Sequence, residues 1–294
     1  MVPSQSFPVA LRRLNEYWIW RRRLRVFGNS FEAPTLDRLI SLWLHKLGLL
    51  GREEVQILQR LVGPGMTVAD IGANQGIYTL LLANLVRPAK VFAFEPEPML
   101  FKRLVSNVFE NRVKNVVCQQ AAVSSSSGRL AIKPGEINRG DNRIVSVQKT
   151  ETDQIEVDAV KLDELFPGQT IDFLKIDIQG WEHQALLGAR ALLERSKNIT
   201  IMLELWPYGL LRAGTRASDL VTYLRELGFV LWRMDKGRFS ELKEEHLPDP
   251  NKEFAYYNVL CSRNALFCEE KFPAGRAVSD LVAGHSTVQN LEAK

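Results

Sequence analysis

The sequence predicts an α/β fold built on a mainly parallel sheet of about seven strands, preceded by an N-terminal helical cap over residues 1–60. Three observations carry that expectation. From Met66 onward, short apolar runs alternate with helical patterns. Several of the runs end in a carboxylate followed by a turn, and β and α alternating at this spacing require right-handed crossovers between parallel strands. The composition, 46% hydrophobic and 24% charged over 294 residues, is an ordinary globular mixture that buries one large domain plus a smaller appendage.

The elements follow in order. Residues 8–27 interleave Leu11, Leu14, Trp18, Trp20, Leu24 and Phe27 with arginines at helical spacing. Residues 35–48 and 52–62 read as two further helices, punctuated by Gly48 and Gly51. The first strand of the sheet is MTVADIG, followed by the helix IYTLLLANLV, the strand KVFAFEP, the helix PMLFKRLVSNVFEN and a third strand, NVVCQQAAV. Residues 124–161 break the rhythm with Ser-rich and Gly-rich turns and read as a hairpin insertion. The alternation resumes with IDFLKID, a helix from Trp181 to about Glu194, the strand ITIMLEL and a helix near 217–227. Two late strands, FVLWRMD and YYNVLCS, are expected to form an antiparallel edge pair. The main domain is thus placed at 61–272, with a loosely ordered tail over 273–294.

Composition narrows the function classes. A net charge of +4 makes no case for nucleic acid, and the chain shows no RNA-binding module. The basic residues Arg12, Arg13, Arg21, Arg22, Arg23 and Arg25 crowd one aromatic stretch. Two readings of it stay open: peripheral contact with an anionic membrane, or a helix packed on the main domain with its tryptophans buried. Cys118, Cys261 and Cys268 form no paired framework, and four scattered histidines give no zinc signature. With no signal-peptide core and no apolar run near ~18 residues, the expectation is a soluble cytoplasmic protein.

The first strand-to-helix turn, Asp70-Ile71-Gly72-Ala73-Asn74-Gln75-Gly76, lies where open α/β sheets bind ligands. Gly72 permits a tight turn, and Gly76 opens the helix whose free N–H groups favour anionic or carboxylate groups. Glu95 ends the second strand, where a carboxylate accepts hydrogen bonds from a ribose diol. Asp70 stands before the first glycine and would repel a pyrophosphate. That charge suits a ligand carrying an ammonium and a sulfonium, as S-adenosylmethionine does.

A second constellation, LKIDIQGWEHQALLGA, carries Lys175, Asp177, Gly180, Glu182 and His183, with Asp177 on the same sheet edge as Asp70 and Glu95. Glu182 falls in the first helical turn, where the dipole favours an acid. ITIMLELWP delivers Glu204 to that edge, with Trp206 and Tyr208 just beyond.

Taken together, VADIGANQGIYT, FAFEPEP, LKIDIQGWE and LELWP resemble the FkbM-type methyltransferases over roughly residues 60–235. The resemblance implies a Rossmann-like class I methyltransferase sheet, S-adenosyl-L-methionine as cofactor and S-adenosyl-L-homocysteine as product. It implies methionine and loop contacts for Asp70, Gly72, Asn74 and Gly76, and makes Glu95 the ribose ligand. Gln120 or Ala121 falls near the adenine, and Asp177 beside the sulfonium or the acceptor. The sequence departs from the family at Gln179, often Glu, and at Trp206, where a histidine often follows the acid.

Methyl transfer is an in-line displacement at carbon, so the protein mostly supplies alignment and a dry pocket. A hydroxyl acceptor also needs a base. Asp177 ranks first by position, then Glu204, then His183, whose ordinary pKa suits the role. Asn142 and Arg143, in the insertion, are placed at the acceptor together with Trp206. A divalent metal shared by Asp177 and Glu204 is the less favoured alternative. The resemblance implies O-methylation of a small molecule such as a sugar, polyketide or lipid-linked glycan. The alternatives are N-methylation of a small molecule or peptide, and a binding module without turnover.

Overall fold

The computed structural model describes residues 23–32, 51–133, 143–145, 154–235, 238–253, 255–265, 267 and 272. Its centre is an eight-stranded sheet. Strands β3 (Val68–Ile71), β4 (Val91–Phe94), β5 (Val116–Gln119), β10 (Phe173–Ile176) and β11 (Thr200–Leu205) run parallel. Beyond β11 come β14 (Tyr257–Ser262), β12 (Val230–Asp235) and β13 (Arg238–Glu241), each antiparallel to its neighbour. The spatial order is β13-β12-β14-β11-β10-β3-β4-β5, so the chain reverses its direction of travel across the sheet between β3 and β10. That switch point leaves a crevice above the strand ends.

All four residues of β3 and of β10 are buried, as strands covered by helices on both faces must be. One covering helix, α1 (Arg52–Leu61), is amphipathic and buries Val55, Ile57, Leu58 and Leu61. The next, α2 (Ile77–Leu85), is apolar almost all round and buries six of its residues. Helix α3 (Pro98–Glu110) starts on a proline, and the preceding Glu97 caps it by accepting from the Leu100 N–H at 2.6 Å. On the far side, α8 (Ala217–Glu226) buries Leu220, Val221 and Leu224. In register, Ile71 pairs with both Phe94 and Ile176, and Ile176 pairs with Leu203. The four central strands therefore end level, and the residues just past them share one rim.

The structure differs from the sequence reading at five places. NVVCQQAAV is not one strand: β5 stops at Gln119, and β6 (Ala122–Val123) leaves for a second sheet. The insertion is not a hairpin; β6, β9 (Ile155–Val160), β7 (Gly128–Lys133) and β8 (Arg143–Val145) form a four-stranded sheet in that order. The two late strands pair antiparallel as expected but not at the edge, because β14 lies between β11 and β12 and the edge passes to β13. The helix expected over 181–194 is two, α5 (Glu182–Leu187) and α6 (Arg190–Arg195). Asp163, from the short helix α4 (Leu162–Leu165), accepts from the N–H groups of Ala191 and Leu192 at 3.0 and 2.7 Å and so caps α6 from outside. Finally, residues 23–26, read as helical, form strand β1 (Arg23–Val26) paired with β2 (Asn29–Glu32). Phe27 and Gly28 both have positive φ, the backbone of a two-residue hairpin turn. Asn111 clamps this hairpin to α3 through both the N–H and the carbonyl of Ser30. Residues 8–22, the helix expected over 35–48 and the tail beyond 272 lie outside the described residues. None of the described helices is long and apolar enough to cross a membrane.

Candidate active site

The loop after β3 is built by its own backbone. Gly72 has φ +84°, and a Cβ there would lie 2.0 Å from the Asp177 carbonyl oxygen. The close passage of the chain leaving β10 therefore demands glycine at 72. At Gly76 the left-handed backbone, φ +91°, demands glycine; a Cβ there would press on a Leu104 methyl at 2.8 Å. Asn74, at φ +52°, accepts from the Gln75 N–H at 2.8 Å, the local bond that lets asparagine hold a left-handed turn.

Glu95 locks the loop to the end of β4. One carboxylate oxygen accepts from the Asn74 N–H at 2.8 Å and the other from the Glu97 N–H at 3.0 Å. Burial pushes this carboxyl up to about 7, against the lowering pull of those two bonds. Each oxygen keeps a further lone pair for hydroxyl donors.

Asp70 is wholly buried. One of its oxygens accepts from the Thr79 hydroxyl at 2.6 Å, and the other, Oδ1, has no hydrogen-bond partner. That orphaned oxygen lies 3.9 Å from Lys175 Nζ, which also lies 3.6 Å from Asp177 Oδ2 and over the Tyr78 ring at 4.8 Å. Burial alone would lower Lys175, but the carboxylates of Asp177, Asp70, Glu204 and Glu54 more than reverse this, so its pKa is raised. Burial also raises Asp70, with Lys175 and Thr79 pulling it back. The ammonium is the fixed charge of the pair, because four carboxylates act on it.

Past β10, Gln179 takes a left-handed conformation, φ +55°, and points its amide at two acids. Its Nε2 donates to Asp177 Oδ1 at 3.1 Å and to Glu204 Oε2 at 3.3 Å. Both acids line a solvent-open cleft of about 90 Å³ with Glu54, Tyr78, Lys175, Met202, Tyr256 and Asn258. Glu54 arrives from α1, and its carboxylate accepts from Asn258 at 2.7 Å.

The Methyltransferase FkbM domain model matches residues 70–231, the stretch holding Asp70, Glu95, Asp177 and Glu204. The chain belongs to the FkbM methyltransferase family. It is 28% identical over 160 residues to the hexuronic acid methyltransferase AglP of Haloferax volcanii, covering 53% of this chain and 60% of that one. It is 30% identical over 157 residues to the 31-O-demethyl-FK506 methyltransferase FkbM of Streptomyces tacrolimicus, covering 42% and 60% respectively. The chain thus spans about three-fifths of the length of these curated relatives. Among solved structures, a SAM-dependent O-methyltransferase from Thermotoga maritima aligns with TM-score 0.41 and 14% identity over 72% of this chain and 64% of that one.

Within this FkbM domain, the fold gathers some of the residues expected at the site and separates others. Asp177 and Glu204 meet at the cleft. Gln120 is exposed just past the end of β5, beside the Glu95 strand, and Ala121 is buried next to it. His183 is not brought to the acids: its ring sits 5.5 Å from Tyr223 of α8, and its Nδ1 is buried without a hydrogen-bond partner. Burial lowers its pKa. Trp206 is not at the cleft either. It is buried, covers Gly209, and its indole N–H donates to the Glu253 carbonyl at 2.6 Å. Asn142 lies outside the described residues, and Arg143 is described only as part of the β8 backbone. Glu182 is buried and folded back on its turn, accepting from the N–H groups of Ile178 and Gly180 at 3.1 Å each. Burial pushes it to about 7.

Sequence reasoning missed Glu54, Tyr78, Tyr256 and Asn258 at the cleft, and it named Lys175 without a role. Only the charge of Lys175 inside an apolar strand pointed to a partner. The rest come from distant segments with no motif around them. Among the described residues, no group of three or more His, Cys, Asp or Glu has metal-holding geometry.

Proposed function

We propose that the chain is an S-adenosylmethionine-dependent methyltransferase that methylates a hydroxyl group of a small molecule such as a sugar, polyketide or lipid-linked glycan. The observation that carries this reading is the Asp177–Gln179–Glu204 cluster, held in an open cleft against the backbone of the glycine loop. The donor set fits the cofactor. Glu95 keeps lone pairs for a ribose diol, the orphaned Asp70 oxygen adds negative character beneath the loop, and Gln120 and Ala121 border the far end. When bound, S-adenosylmethionine supplies a methyl carbon with a good leaving group.

The chain's own residues do the rest. Asp177 is half-exposed in the cleft and takes the acceptor's proton. The Lys175 ammonium and the Gln179 amide hold its carboxylate in place. Glu204, sharing that amide, orients the acceptor hydroxyl. The name of one relative, 31-O-demethyl-FK506 methyltransferase, supports an oxygen acceptor, and that of the other, hexuronic acid methyltransferase, supports a sugar-like one.

The test is transfer of a labelled methyl group from S-adenosylmethionine to fractionated extracts of the source cell. Label in a small-molecule fraction supports the reading; label confined to protein or RNA overturns it. Asp177→Asn is expected to lower turnover about 100-fold or more while S-adenosylhomocysteine still binds. Full activity in that variant removes Asp177 as the base.

A further inference from the structure

One wall of the cleft comes from outside the stretch that matches the family. Glu54, Tyr256 and Asn258 lie beyond residues 70–231, yet they face Asp177 and Glu204 across the same space. Asn258 pairs in register with Glu204 across β11 and β14, which places its side chain beside the acid pair. Glu54 is then fixed from the opposite side by its 2.7 Å bond from the Asn258 amide. Tyr256 is 52% exposed at the rim, an aromatic face open to an incoming ring.

We infer that Glu54, Asn258 and Tyr256 determine acceptor specificity, admitting an uncharged polyhydroxylated ring and rejecting an anionic one. This rests on the methyltransferase reading, which makes the cleft the acceptor site. A carboxylate offers only acceptor lone pairs, while the Asn258 amide, with one N–H given to Glu54, keeps its oxygen and a second N–H. Hydroxyl groups, which both donate and accept, satisfy both. A tyrosine ring packs on the apolar face of a sugar-like ring. An acceptor carboxylate would instead approach Glu54, Asp177 and Glu204 together. Among the described residues, the cation that lines the cleft is Lys175, buried between Asp70 and Asp177. Like charges a few ångströms apart repel, and at that separation salt screens them little. The relative named for a hexuronic acid would thus differ from this chain in the charge of its acceptor.

The experiment compares two probes that share a ring and differ in one charge: methyl β-glucopyranoside and methyl β-glucopyranosiduronate. Each is titrated calorimetrically into the full chain saturated with S-adenosylhomocysteine. The neutral glycoside is expected to bind on the order of tenfold tighter than the uronate. Glu54→Gln, which keeps the shape and the bond from Asn258, is expected to bring the two within about threefold. Its affinity for S-adenosylhomocysteine stays at the wild-type value, which shows that the variant is folded. Equal or tighter binding of the uronate, an unchanged ratio in Glu54→Gln, or no binding of the neutral glycoside each overturns the inference. Failure of the wild-type chain to bind S-adenosylhomocysteine would instead sink the methyltransferase reading itself.

Discussion

Glu182 offers a sharp test of how burial, rather than catalysis, sets a charge in this fold. The residue sits at the start of α5, and one of its oxygens takes both bonds from the turn while the other has no partner. Burial raises its carboxyl from the ordinary 4.5 to about 7. The folded chain therefore holds a proton that the unfolded chain has released across that window. Stability from this group is fully present below about 4.5 and is lost as pH rises through about 7. The separation corresponds to about 3 kcal/mol, most of which falls between pH 5 and pH 8. Glu95 titrates in the same window for the same reason and adds a drop of similar size.

The perturbation is Glu182→Gln, which keeps the oxygen that accepts the two N–H groups and removes the titration. Urea unfolding at pH 5 and pH 8 gives the fall in stability for each protein. The wild-type fall is expected to exceed the variant's by about 2–3 kcal/mol. The comparison uses a difference of differences, so a constant cost of placing an amide in the turn cancels. An equal fall in the two proteins would refute the claim that Glu182 is buried protonated at low pH and deprotonated against its environment at high pH.

Other consequences follow from the site. Hydroxyl donors favour the ionised form of Glu95, so affinity for S-adenosylhomocysteine should rise as pH increases through about 7, and Glu95→Gln should flatten that rise in calorimetry. Lys175→Met leaves Asp70 buried without its ammonium and is expected to cost about 3–5 kcal/mol of stability, with Asp70→Asn recovering part of the loss. A cost below about 1 kcal/mol would show that the pair is not a buried ion pair. The Gln179 amide stands between Asp177 and Glu204, where a bridging cation would have to sit. Methyl transfer should therefore survive EDTA; loss of activity restored by one divalent ion would contradict this.

Local rules made much of the fold legible. The apolar runs at 68–71, 91–94, 173–176 and 200–205 are short because parallel strands buried on both faces need only span the core. Asp177, just past its strand, and Glu204, near the end of its own, lie at the rim because strands in register end level. The glycines of the loop were legible as a turn, but the reason for Gly72 was not: it answers to the Asp177 carbonyl about a hundred residues away. His183 and Trp206 show the opposite failure: each lies within a few positions of a cleft acid in sequence, yet helix and turn geometry aims it into packing.

What the sequence determined by itself is the part written in neighbouring residues: strand-turn-helix order, the acid before the glycine loop, the acid at the end of the second strand, and the family. Tertiary structure alone decided which distant segments complete the cleft. β14 slips between β11 and β12, carries Asn258 to Glu204, and lets Asn258 hold Glu54 from 204 positions away. It also decided which charge is compensated, since Lys175 finds Asp70 only because β3 and β10 are neighbours at the switch point. Pairings of that kind depend on strand order and burial, which hydrophobic periodicity along one segment does not encode.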